Sequence, residues 1–211
     1  MNILLVDDHH MMRDGLRAIL EREAMTVIGE AENGHEAINL ARRLRPDVIV
    51  MDIAMPDLNG IDATRRIVAE SPQAKVIALS MNSDRRYVVA MFEAGAMGYL
   101  VKNCASGELV QAVRAVSRNL TYISPSVAAT MGESNRGGPP HPKPPRSLSP
   151  REREVLQLIA EGCSSKEIAA RLGVAVPTVE THRRQIVDKL GVRTIAELTK
   201  YAVREGLTTI E

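Results

Sequence analysis

VIVMD, residues 48–52, is four apolar residues in a row closed by a carboxylate. It shows neither the alternation of a half-buried strand nor the spacing of a helix, so it reads as a strand buried on both faces. Three further runs share the pattern: ILLV (3–6) leads into Asp7 and Asp8, VIAL (76–79) into Ser80, and GYLV (98–101) into Lys102. Strands of this kind belong to parallel sheets covered by helices, where chemistry gathers beyond the carboxyl ends of the strands. Three carboxylates, one ammonium and one hydroxyl are therefore expected to converge. Carboxylates so crowded are costly unless a cation joins them, which implies a Mg²⁺ site.

Outward from these runs, helical spacing appears in GLRAILERE, HEAINLARRL, IDATRRIVAE, RRYVVAMFEAG and GELVQAVRAVS. Five strands alternating with five helices predict an α/β doubly wound domain with a five-stranded parallel sheet. Asn59 can cap one helix with Asp62 at its third position, and Gly95 stops another. The composition breaks at MGESNRGGPPHPKPPR (131–146), a Pro/Gly-rich stretch without hydrophobic periodicity that reads as a solvated linker, partly polyproline II. Beyond it only helices are expected. Ser149-Pro150 opens REREVLQLIAEG, Ser164 with Glu167 opens KEIAARLG, Pro177 opens TVETHRRQIVDKLG, and Thr194 with Glu197 opens AELTKYAVREG. The middle pair, joined by GVAVP, looks like a helix-turn-helix in a small all-α domain. The expected domains are 1–122, a linker at 123–146, and 147–211.

The bulk numbers bound the answer without choosing it. The chain has 211 residues, 45% apolar and 2% aromatic, with net charge +1, so overall charge gives no reason to expect nucleic acid. No apolar run approaches the roughly 20 residues that cross a bilayer. The N-terminus lacks the pattern of an export signal, so a cytoplasmic location with no membrane partner is expected. Cys104 and Cys163 read as reduced, isolated residues.

An Asp at a strand end can attack a phosphoryl group to give an acyl phosphate, provided that a divalent ion offsets the meeting of like charges. Asp7 and Asp8 would supply the metal site, Lys102 would pair with a phosphoryl oxygen, and Ser80 would hydrogen-bond the loaded group. Around these residues, LLVDDH (4–9), VIVMDIAMPDLNGID (48–62), ALS (78–80) and GAMGYLVK (95–102) resemble the CheY-like receiver domains of two-component response regulators. The resemblance implies Asp52 as phosphoacceptor, with Asp7, Asp8, Asp52 and the backbone carbonyl of Ala54 holding Mg²⁺. It implies Ser80 as the switch hydroxyl and Tyr99 as the aromatic that rotates inward when that hydroxyl is drawn to the phosphate. Asn103 stands where such receivers often carry Pro, and Met81 where a small residue is common. Mg²⁺ prefers oxygen ligands, so His9 and His10 read as ordinary loop histidines.

In the last domain His182, Arg183, Arg184, Lys189 and Arg193 cluster in or just after one helix, as phosphate contacts would require. The segment LSPREREVLQLIAEGCSSKEIAARLGVAVPTVETHRRQIVDKLGVRT is similar to the LuxR-type DNA-binding domain of the NarL/FixJ response regulators. By that resemblance Glu180, Thr181 and Arg184 would touch base edges, and Thr178, Arg183 and Lys189 backbone phosphates. Ala175 takes the place of the Ser that often caps this helix.

The expectation is a phosphorylation-dependent transcriptional regulator. A sensor histidine kinase would load Asp52, and the chain would bind double-stranded DNA as a homodimer while catalysing only its own phosphotransfer and dephosphorylation. Two rivals are weighed against it. A haloacid-dehalogenase-like phosphatase would keep a second Asp two residues after the nucleophile, where this chain has Ala54. In a phosphorylation-independent binding module the receiver would serve only dimerisation, and the intact acidic set argues against that.

Overall fold

A computed structural model of the chain describes residues 1–81, 83–104, 106–133, 148–192 and 194–208. Two compact units separate, Met1–Gly138 and Pro139–Glu211.

In the first unit, strands β1 (Asn2–Val6), β2 (Thr26–Ala31), β3 (Val48–Asp52), β4 (Val76–Ser80), β5 (Gly98–Val101) and β6 (Tyr122–Ile123) form one sheet in the order β2-β1-β3-β4-β5-β6, every pair parallel. Between them run α1 (His10–Arg22), α2 (Gly34–Leu44), α3 (Gly60–Glu70), α4 (Arg85–Glu93) and α5 (Ser106–Ser117). Alternate strand residues feed two cores. Leu4, Val6, Ile49 and Met51 pack with Ile38, Ile61, Ile67 and Met91 on one face, while Ile3, Leu5, Val48 and Val50 pack with Leu16, Leu20, Leu109 and Val113 on the other. This is why these strands read as continuous apolar runs: neither face meets water.

The sheet has one strand more than the five expected. Tyr122–Ile123 pairs with β5 through Gly98 and Tyr99, and α6 (Pro125–Glu133) follows, with Val127 wholly buried in the first core. A two-residue strand is too short for any periodicity, and α6 falls where the linker was expected to have begun. The remainder of that expected linker, 134–146, lies outside the described residues.

Strand order fixes where the site must be. The chain reverses direction across the sheet between β1 and β3, the switch point at which a doubly wound sheet opens a crevice beyond its carboxyl ends. The register sets Val6 opposite Met51, Asp52 opposite Leu79 and Ser80 opposite Val101. Asp7 and Asp52 therefore emerge side by side. Asn59, the N-cap of α3, accepts a 2.9 Å hydrogen bond from the Asp62 amide, and Gly60 N donates to Ile53 O at 2.9 Å. A Cβ at Gly60 would collide with the Asp52 carbonyl oxygen, so only glycine lets the helix start this close to the strand end.

The second unit is helical: α7 (Pro150–Ala160), α8 (Ser165–Leu172), α9 (Val176–Leu190) and α10 (Ile195–Arg204). Ser149, Ser164 and Thr194 each form a capping box with the glutamate three residues on, as their spacing predicts. Gly173 and Gly191 close α8 and α9 in the left-handed conformation. Val155, Leu158, Ile168, Val179, Ile186 and Leu198 share one core. Among the described residues no helix is long and apolar enough to cross a membrane.

Candidate functional site

Four strand ends assemble the expected pocket. Asp7 and Asp52 are 0% and 1% exposed, and the Lys102 ammonium lies between them, 2.8 Å from Asp7 Oδ2 and 2.7 Å from Asp52 Oδ2. The amide of Lys102 donates to the Ser80 carbonyl at 2.7 Å, which ties β5 to β4 beside the site. Burial pushes the Asp52 carboxyl up to about 6; Lys102 opposes that shift and the neighbouring Asp7 adds to it. Burial works to discharge Lys102, but the Asp52 and Asp7 carboxylates outweigh it and hold the ammonium above its usual range. Ala54, exposed two residues beyond Asp52, donates its amide to Asp52 Oδ1 at 3.3 Å.

The donor set fits a small divalent cation. Asp7, Asp8, Asp52 and His9 each offer one ligand atom, all within 4.8 Å of one another. Asp7 Oδ2 is buried with only the Lys102 ammonium beside it, and Asp8 Oδ1 is buried with only the His9 ring nitrogen beside it. Oxygen atoms in that condition are what a hard ion would satisfy.

Ser80 is nearly buried, and its side chain hydrogen-bonds the hydroxyl of Tyr99. Tyr99 is wholly buried, and its phenol is pushed up to about 12 by burial. The inward position expected to follow loading of the site is already occupied here. Met81, after Ser80, is 81% exposed and turned to solvent.

One charged residue of this site escaped the sequence reading. Arg13 on α1 is 3% exposed, donates to the Asp7 carbonyl at 2.6 Å, and pairs with Glu30 at 3.1 Å and Glu32 at 2.6 Å. It holds the backbone of the acidic turn in place. The signal was present: Arg13 shares the helical face of Leu16 and Leu20, where a solvated arginine would not be.

The helix-turn-helix carries the other candidate residues. Thr178 and Arg184 are exposed on α9, and Arg183 is half-buried. Thr181 is exposed as well, its hydroxyl bonded back to the Pro177 carbonyl at 2.9 Å. Glu180 accepts a hydrogen bond from Ser165 at the start of α8. Lys189 departs from the expectation of a phosphate contact. Its ammonium lies 2.7 Å from Glu152, whose carboxylate is buried and also caps α7, so its charge is engaged within the bundle. A buried carboxylate there needs a cation more than the helix surface does. Ala175 caps α9 with no side-chain hydrogen bond. Arg193 lies outside the described residues.

The family described as "Response regulator receiver domain" matches residues 3–114, and that described as "Bacterial regulatory proteins, luxR family" matches residues 146–202. The chain is 40% identical over 210 residues to the transcriptional regulatory protein MctR of Rhizobium johnstonii, covering 98% of this chain and 95% of that protein. It is 40% identical over 206 residues to the transcriptional regulatory protein LiaR of Bacillus subtilis, covering 97% and 98%. Among solved structures, RcsB from Salmonella enterica serovar Typhimurium, bound to promoter rprA in the presence of the phosphomimetic BeF3-, is 29% identical with a TM-score of 0.60. That match covers 95% of this chain and 97% of RcsB.

Proposed function

This chain belongs to the response regulators that join a receiver to a LuxR-type DNA-binding domain, and from that premise we propose that Asp52 is the phosphoacceptor through which a sensor histidine kinase controls its binding to DNA. The carrying observation is Asp52 itself, buried, beside Asp7 and bridged to it by Lys102. A carboxylate so placed is poised to attack phosphorus, and Lys102 can transfer its attention from Asp52 to an incoming phosphoryl oxygen. Mg²⁺ would be held by Asp7, Asp8, Asp52 and the Ala54 carbonyl, and when bound it would neutralise charge on the phosphoryl oxygens. Ser80 would then turn from Tyr99 to the phosphoryl group, making Ser80 and Tyr99 the switch. We place the end of the receiver after α6 and the start of the DNA-binding domain by residue 148.

On α9, Thr181 and Arg184 would meet base edges, and Thr178 and Arg183 phosphates; Glu180 would do so only by leaving Ser165. RcsB solved as dimers on DNA supports a homodimer reading two half-sites, and such a regulator acts in the cytoplasm. Incubation with a small phosphodonor and Mg²⁺ should label the full chain once, and Asp52→Ala should remove the label. Full labelling of Asp52→Ala would overturn the assignment.

A further inference from the structure

Resting on the reading of α9 as the helix that meets DNA, we infer that Ser165 is a positioning residue for it. The Ser165 hydroxyl holds the Glu180 carboxylate away from Arg184, and so keeps the Arg184 guanidinium free for the base edge it is to meet.

The exposed face of α9 carries a conflict. Glu180 stands four residues before Arg184, and Asp188 four residues after it. Side chains at that spacing are neighbours on a helix, and an acid on the N-terminal side of a basic residue is the better order for pairing. An Arg–carboxylate pair would use the same planar fork of donors that recognises guanine. Left to itself, the helix would cancel its own contact residue.

A second element prevents this. Glu180, Arg184 and Asp188 are all exposed, yet among the described residues neither acid is paired with Arg184. Glu180 instead accepts a hydrogen bond from Ser165 Oγ, 15 residues back in the chain. Ser165 is the first residue of α8, and its hydroxyl is available because Ser164 does the capping. Ser164 Oγ and its amide donate to Glu167 at 2.7 and 2.8 Å. The Glu180 carboxylate also comes to rest at the amino end of α8, where the helix dipole favours negative charge. Asp188 lies on the C-terminal side of Arg184, the weaker order, and needs no such restraint.

The test uses duplex DNA enriched from random sequence by the phosphodonor-treated full chain, with binding followed by fluorescence anisotropy at fixed salt. Ser165→Ala releases Glu180 onto Arg184 and should weaken binding by about two- to fivefold, the size of an exposed ion pair. In a Glu180→Gln background no charge is left to restrain, so Ser165→Ala should then change affinity by less than about 1.5-fold. Wild-type affinity in Ser165→Ala would overturn the inference. So would an equal loss in both backgrounds, which would make Ser165 a phosphate contact in its own right. Arg184→Ala separates this role from the reading beneath it: enriched DNA bound equally well by wild type and Arg184→Ala would overturn α9 as the helix that reads bases, and the inference with it.

Discussion

Arg13 and Asp52 show how single buried charges set both the stability and the chemistry of the pocket. Removing one member of a buried charge set costs about 3–5 kcal/mol. Glu30 and Glu32 keep some access to water, so Arg13→Ala should lower stability in urea at pH 7 by about 2–4 kcal/mol. A change inside the error of the measurement would mean that the guanidinium does not fix the acidic turn. The two carboxylates have opposite pH signatures. Burial opposes the charge of Glu30, but Arg17 and Arg13 overcome it and hold the carboxyl below its usual range. Its contribution is present above the ordinary carboxylate pKa and is lost as pH falls through the folded value. Asp52, raised to about 6, holds its proton more tightly in the folded state, so stability declines as pH climbs from about 4 to about 6. Asp52→Asn should therefore stabilise the metal-free protein by about 1–3 kcal/mol at pH 7 and by almost nothing near pH 3.5, as read from urea unfolding in a chelator. Asp7, Asp8, Asp52, Ser80 and Lys102 were legible in the sequence because each ends a run that can only be a buried strand. Arg13 was passed over because an arginine in an amphipathic helix is ordinarily on its wet face, although its spacing from Leu16 and Leu20 marks the buried one, and Lys189 reads as free in the sequence because the carboxylate it pairs with lies 37 residues away.

At the scale of elements, the start of α3 and the start of α9 carry the sharpest expectations. Gly60→Ala drives a methyl group into the Asp52 carbonyl, so either β3 or α3 must move. Phosphodonor labelling should fall by at least about tenfold, while the receiver unfolds about 1–3 kcal/mol more easily. Labelling at the wild-type rate would show that the strand end tolerates displacement. Ala175 has the extended backbone of an N-cap but no oxygen to offer. Ala175→Ser should add about 0.5–2 kcal/mol to the helical unit, seen as a rise in its thermal midpoint. The capping boxes at Ser149, Ser164 and Thr194 could be read directly from the chain, since a cap is a local pattern of four residues. The sixth strand could not. Two residues have no period, and their pairing depends on where β5 lies.

The whole molecule carries a net charge of only +1, so affinity for DNA must come from a local surface rather than from the chain as a whole, and the proposed one is the face of α9. On the proposed contacts, the logarithm of the binding constant should fall linearly with that of salt, by roughly 0.9 per phosphate engaged. Arg183→Ala should reduce that slope by about one, and Arg184→Ala should relax sequence preference. Unchanged values for both would remove α9 as the reading helix. Tyr99 lies inward beside Ser80. On the proposed role of this pair, a switch already part way along its path would leave a leak. If even about one unphosphorylated molecule in ten already holds the active arrangement, no kinase can raise promoter occupancy by more than about tenfold. On that proposal the ceiling on induction would be a property of the silent protein, set by one tyrosine before any signal arrives.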